Sequence, residues 1–218
     1  DAACASVTRA VSRTCEEMGR ESVRRLGHRI EHAEMVSSED LATLVEAGIA
    51  FSMQPLFDAY WGGRDGMYQQ RLGKTRAAFM NTLASIIGQG GHLTINSDCP
   101  VTPMAPWSII RAATTHSNPH ESITARAAFS AHTRGAWRCV GEYRSGSIEI
   151  GAPAHLAAWS VTDLEVRVPD ERVQGWSTDP RSATPGLPAL DGPDPRCLAT
   201  WVDGDVVFGE DFVEAQRG

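Results

Sequence analysis

Three short apolar stretches, set apart by segments of helical character, constrain this chain more than anything else in it. HRIEHA (28–33), IAFSMQP (49–55) and HLTINSD (92–98) each read as a strand. In the second, Ile49, Phe51 and Met53 alternate with Ala50, Ser52 and Gln54, the period-two pattern of a strand with two unlike faces. The intervals carry helical spacing. Val7, Ala10, Val11 and Met18 mark a helix over 2–19, and Ser38 with Asp40 caps another that Gly48 stops. KTRAAFMNTLASIIGQGG (74–91) reads as one helix with a glycine stop, and two more are predicted around 107–116 and 124–140. Strands separated by helices of this length are joined by right-handed crossovers and lie parallel, so the fold class is α/β.

Residues 56–73, LFDAYWGGRDGMYQQRLG, read as a long loop, and loops of that length are usually functional or mobile. Its Phe57, Tyr60, Trp61 and Tyr68 suit pocket lining and simple loop packing equally. After Gly146 the character changes. SIEIG, HLAAWS, LEVRV, ATWVDG and DVVFG are strand-like pieces, interrupted by a Pro/Gly/Asp-rich stretch over 177–196. The expected division is an α/β part over 1–142 and a small β domain over 143–218.

Composition removes several function classes. A net charge of -7 with scattered Lys and Arg argues against a nucleic-acid surface. No run approaches the ~18 to 20 apolar residues of a membrane span, and the first residues lack the basic-then-apolar layout of a signal peptide. Five cysteines without a C-x-x-C pair fit reduced thiols and a cytoplasmic location better than a disulfide framework.

Strand parity places the candidate site. Leu93 and Ile95 should face helices, sending Thr94, Asn96 and Asp98 to the other face, where Ala50, Ser52 and Gln54 join them. His32 ends the first strand. Carboxyl ends of parallel strands form the ligand-binding edge, so His32, Gln54 and Asp98 are expected on one rim. The same parity puts His28, Ile30 and His32 on the inner face and sends Arg29 and Glu31 toward the helix layer, where both charges would need partners. Each residue has a plainer reading: His32 as a hydrogen-bonded core or rim residue, Asp98 as a helix cap or turn former before Cys99-Pro100, and Gln54 as a group that satisfies backbone. The other histidines (His28, His92, His116, His120, His132 and His155) show no spacing that makes a site.

HRIEHAEMVSSEDLATLVEAGIAFSMQP resembles the metal-dependent amidohydrolase superfamily, specifically the amidohydrolase family 3 branch with its N-substituted formamide deformylase-like enzymes. LTINSDCPV is similar to that family's Gly-Ser-Asp-x-Pro-Val segment, and the RLG ending in Gly73 matches the loop between them. GSIEIGAPAHLAAWS and ATWVDGDVVF resemble its closing segments, in order over nearly the whole chain except about 165–196. Asn96 stands where the family usually has Gly, His155 where it usually has Asp, and Phe57 where some members carry a polar residue.

The resemblance implies the C-terminal part of a (β/α)8 TIM barrel, about strands six to eight, followed by a small β-sandwich-like domain. It implies that His32 is a metal ligand and that Asp98 binds metal and the attacking water, with Gln54, Phe57 and Arg71 on the substrate side. The expected cofactor is a divalent ion, Zn²⁺ foremost, with one or two ions in an intact protein. The expected chemistry is hydrolysis of a non-peptide C–N bond in a small amide-type substrate. Three strands stand where eight are required, and two ligands where catalytic zinc takes three. DAACASV resembles the residues that come directly after the strand-five histidine of the family's His-Ala-x-Gly-Asp motif. The remaining ligands are therefore expected in a missing N-terminal part of the same barrel, and the chain alone is expected to be inactive. A non-catalytic binding or assembly module of the same shape is the alternative, and self-association into a homo-oligomer stays open.

Overall fold

The computed structural model describes residues 1–165 and 186–216. It divides into two compact units, Asp1–Gly141 and Glu142–Gly218. The first unit begins with α1 (Ala2–Met18), opened by the Asp1 carboxylate accepting from the Ala2 N–H at 2.7 Å, and α2 (Arg20–Arg25), which the periodicity does not reveal. Then come β1 (Arg29–Glu31), α3 (Ser38–Glu46), β2 (Ala50–Met53), α4 (Pro55–Trp61), α5 (Met67–Leu72), α6 (Lys74–Ala77), α7 (Leu83–Gly88) and β3 (His92–Ile95). The unit ends with α8 (Pro106–Thr114), a 3-10 turn (Pro119–Glu121), α9 (Ala125–His132) and α10 (Arg134–Cys139). The three strands form one parallel sheet in chain order, β1-β2-β3.

Local chemistry explains the boundaries. The cap of α3 is Ser37 rather than Ser38: its Oγ accepts the Asp40 N–H at 3.0 Å and donates to Asp40 Oδ2 at 2.7 Å. Gly48 leaves α3 at φ 76°, and a Cβ there would sit 2.8 Å from Arg24 Cγ, so the turn into β2 excludes a larger residue. Pro55 does not close a strand; it starts α4 at a position whose N–H needs no partner. The expected 56–73 loop is thus mostly two short helices separated by Gly62, Gly63 and Gly66. The expected single helix over 74–91 breaks at Asn81, whose φ of 56° only a few non-glycine residue types tolerate. The helix expected over 124–140 breaks at Thr133.

Register settles which side chains share a face, because paired residues of parallel strands point the same way. Ile30, Phe51 and Leu93 form one row, and Met53 with Ile95 the next on that face. Phe51 and Met53 are fully buried, each stabilising the unit by about 1.5–3 kcal/mol. The opposite face carries Arg29, Ala50 and His92, then Glu31, Ser52 and Thr94. The expectation for β1 is therefore reversed. Ile30 joins the apolar core, and Arg29 and Glu31 lie on the polar face, where they pair with each other at 2.6 Å. His32 misled the parity argument because its φ of 70° takes it out of the strand.

The far edge of β3 is closed by the α9–α10 junction. The Asn96 N–H bonds Met53 O at 2.9 Å, so Leu93 and Ile95 direct their backbone groups away from β2. His132 Nδ1 donates to Ile95 O at 2.9 Å, His92 Nε2 donates to Gly135 O at 3.0 Å, and Thr94 donates to Ala131 O at 3.1 Å. A Cβ on Gly135 would lie 3.1 Å from Leu93 O, so a larger residue would push the junction outward by a few tenths of an ångström. Burial holds the His132 imidazole below its ordinary range, against the opposing effect of its bond to Ile95.

The second unit is antiparallel. It contains β4 (Leu156–Ser160), β5 (Leu164–Glu165), β6 (Leu187–Pro188), β7 (Arg196–Val202), β8 (Asp205–Phe208) and α11 (Glu210–Ala215). β4, β7 and β8 make one three-stranded sheet, and β5 pairs with β6. Asp203 and Gly204, at φ 51° and 91°, turn the β7–β8 hairpin in the two-residue form that Asp-Gly favours. SIEIG is not a strand; it is irregular, with Ile148 and Ile150 fully exposed. The LEVRV strand begins as β5, and its part from 166 onward lies outside the described residues, as does the 177–185 part of the Pro/Gly/Asp-rich stretch. All five cysteines are free. No described helix is long and apolar enough to cross a membrane.

Candidate active site at the strand ends

The polar face of the sheet continues past the strand ends as a hydrogen-bonded network. Gln54 follows β2 and is 3% exposed. Its Oε1 lies 3.0 Å from His32 Nδ1, and its Nε2 donates to Ser52 O at 3.1 Å and to Asn96 Oδ1 at 3.3 Å. Asn96 Oδ1 also accepts the Asp98 N–H at 2.9 Å, while Asn96 Nδ2 donates to Ser52 Oγ at 2.8 Å. The His32 N–H reaches Ser52 O at 2.9 Å. His32 and Asp98 are thus joined through Gln54 and Asn96, across the ends of all three strands.

Ser52 is the register partner of Glu31 on this face. Burial pushes the Glu31 carboxyl up, but the neighbouring Ser52 hydroxyl, the bond from Arg29 and the Arg29 charge outweigh it, holding Glu31 below the usual carboxylate range. His32 and Asp98 both leave their strands in the left-handed region, at φ 70° and 51°. Such a backbone costs of order 1–3 kcal/mol at a non-glycine residue and persists where the surroundings enforce it.

Aromatic rings continue from His32. Phe57 of α4 stacks on the imidazole at 5.9 Å and 19°, Trp61 tilts against Phe57 at 4.5 Å, and Tyr68 of α5 meets Trp61 edge-on at 6.3 Å. The Tyr68 hydroxyl donates to Glu34 Oε2 at 2.6 Å, and burial together with that carboxylate pushes the phenol well above its ordinary range. A cavity of about 440 Å³ opens beside His32, with Cys4, Val7, Ile30, Met35 and Met80 among its walls. Arg71, in the last turn of α5, is exposed, without a hydrogen bond or ion pair among the described residues.

The geometry brings His32, Gln54 and Phe57 into direct contact and ties Asp98 to them through Asn96; it leaves Arg71 apart. Sequence reasoning passed over Ser52 and Asn96 as network members, and Glu31 as a group on the same face. The signal for Asn96 was available in its parity with Thr94 and Asp98, whereas Glu31 was concealed by the misread face of β1.

The donor chemistry suits one side of a divalent-ion site. His32 can offer Nε2, because Nδ1 is held by Gln54, and the Asp98 carboxylate accepts no hydrogen bond from a described residue. Catalytic zinc takes three protein ligands. Among the described residues no group of three or more His, Cys, Asp or Glu side chains could hold a metal ion.

Polar groups gathered at the carboxyl edge of a parallel sheet occupy the place where α/β folds build their sites, and known structures share this fold. An uncharacterized metal-dependent hydrolase from Pyrococcus furiosus matches at 27% identity and a TM-score of 0.51, over 58% of this chain and 26% of its own. A second, from Pyrococcus horikoshii OT3, matches at 20% identity and a TM-score of 0.51, over 62% of this chain and 29% of its own. Atrazine chlorohydrolase TrzN from Arthrobacter aurescens TC1, solved with zinc, matches at 18% identity and a TM-score of 0.56, over 94% of this chain and 42% of its own. This chain therefore spans between 26% and 42% of the length of these structures. No curated protein matches. The pattern of the amidohydrolase family covers residues 1–208, and the chain belongs to that family.

Proposed function

We propose that this chain supplies strands six to eight of a metal-dependent amidohydrolase barrel, with most of a small β-sandwich-like domain, and that the whole enzyme hydrolyses a non-peptide C–N bond in a small amide-type molecule. Within the family, the formamide deformylase-like branch fits the motifs around His32 and Asp98. The observation that carries this reading is the His32–Gln54–Asn96–Asp98 connection across three parallel strand ends. His32 and Asp98 would hold one divalent ion, zinc foremost, and further ligands would come from the rest of the barrel.

A bound ion of this kind polarises a carbonyl and lowers the pKa of water toward neutrality. The chain's own residues would do the remaining work. Asp98 accepts the proton of the attacking water and passes it to the leaving nitrogen. Phe57, stacked on His32, would present an apolar surface on the substrate side, and Arg71, which stands apart from this network, would reach the substrate only if the substrate extends toward α5. In the complete enzyme, Asp98→Asn should lower kcat by at least ~10²-fold with little change in thermal stability. A stability loss with kcat intact would make Asp98 a turn former instead. The 218-residue chain by itself should hydrolyse amides no faster than a protein-free control, and robust turnover would overturn the proposed sharing of ligands.

A further inference from the structure

We infer that Gln54 is a positioning residue: it locks His32 in the Nδ1–H tautomer and thereby presents Nε2 as the bare, metal-facing nitrogen. The inference rests on the reading of His32 as a ligand. Counting donors and acceptors leads to it. Ser52 O can only accept, so the Gln54 atom 3.1 Å from it must be the amide nitrogen. Gln54 Oε1 therefore faces His32 Nδ1 at 3.0 Å. Two bare acceptors cannot bond, so Nδ1 carries the hydrogen. A neutral imidazole has only one, and Nε2 is left with its lone pair.

The second amide hydrogen of Gln54 is fixed in the same way. The Asp98 N–H can only donate, so the Asn96 atom 2.9 Å away is Oδ1, and that oxygen also receives Gln54 Nε2 at 3.3 Å. Gln54 cannot flip without facing donor to donor and acceptor to acceptor. The Phe57 ring, stacked on His32, restrains the remaining rotation of the imidazole.

The test uses the 218-residue chain and long-range proton–nitrogen spectra of His32 at about pH 8.5, well above the ordinary imidazole pKa of about 6.5. The wild type and Gln54→Glu, which keeps an acceptor, should show protonated Nδ1. Gln54→Met, close in shape but without the acceptor, should shift the population toward Nε2–H. A packing role ranks the two variants the other way, because methionine suits a buried position and a carboxylate does not.

Zinc is then titrated while the Asp98 backbone amide is observed. Gln54→Met should need ~10- to 100-fold more zinc than the wild type for the same shift, the scale of a lost outer partner, and His32→Asn should lose the response. Wild-type His32 in the Nε2–H form, or Gln54→Met with an unchanged tautomer, overturns the role of Gln54 alone. A wild-type Asp98 amide indifferent to zinc, or a His32→Asn response equal to wild type, overturns the ligand reading beneath it.

Discussion

The two units solve the same problem, covering a small sheet, in opposite ways. In the first, all four residues of β2 are buried, and β3 is buried from Leu93 to Ile95. In the second, every strand of the three-stranded sheet keeps residues in solvent, and Val207 is 59% exposed on β8. Parallel strands joined by helices are covered on both faces, whereas an antiparallel sheet tolerates one wet face. The burial of the first unit lets a polar network at its strand ends work at low dielectric, where each hydrogen bond is stronger and each missing partner more costly.

That contrast is open to direct attack. Phe51→Ala should cost the first unit about 3–5 kcal/mol in urea unfolding, while Val207→Ala should stay within ~0.5 kcal/mol. Similar losses at the two positions would erase the distinction. Ser37→Ala should cost about 1 kcal/mol through the lost cap of α3, visible in the same assay. Stability of the first unit should also depend on pH through His132. Its folded pKa lies below the unfolded value of about 6.5, so the unfolded chain binds the proton first on acidification. The contribution is complete above that value and is lost as pH falls through the folded one. His132→Gln should flatten that part of a urea-midpoint profile, and an unchanged profile would remove His132 as the cause. The smallest effect is expected at Ile150, fully exposed in the second unit: Ile150→Ser should leave the unfolding midpoint where it was.

The parallel sheet was legible because alternation in IAFSM and HLTI survives as real alternation of faces. The rim was legible for the same reason, since Ser52, Gln54 and Asn96 keep their parity up to the network. What periodicity could not convey was backbone sign. His32 and Asn81 leave their elements with positive φ, which moved His32 to a different face and cut one expected helix in two. SIEIG alternates as well as any strand but has no neighbour to pair with among the described residues, and alternation carries no information about partners. Short helices such as α4 and α5 are set by Pro55 and the glycines around them rather than by an apolar repeat, and their Gly-rich composition is also that of a loop.

The left-handed exits of the strands have a consequence for anyone improving this protein by selection. Ala33 follows His32 at φ 42°, where alanine is strained and glycine is not. Ala33→Gly would therefore be recovered readily by a screen for heat resistance, with a gain on the order of 1 kcal/mol. It would also loosen the turn that carries His32 toward Gln54, so the survivors of such a screen should hold the His32 imidazole less firmly than their parent. Thermal hardening and a fixed imidazole would pull in opposite directions at a single alanine.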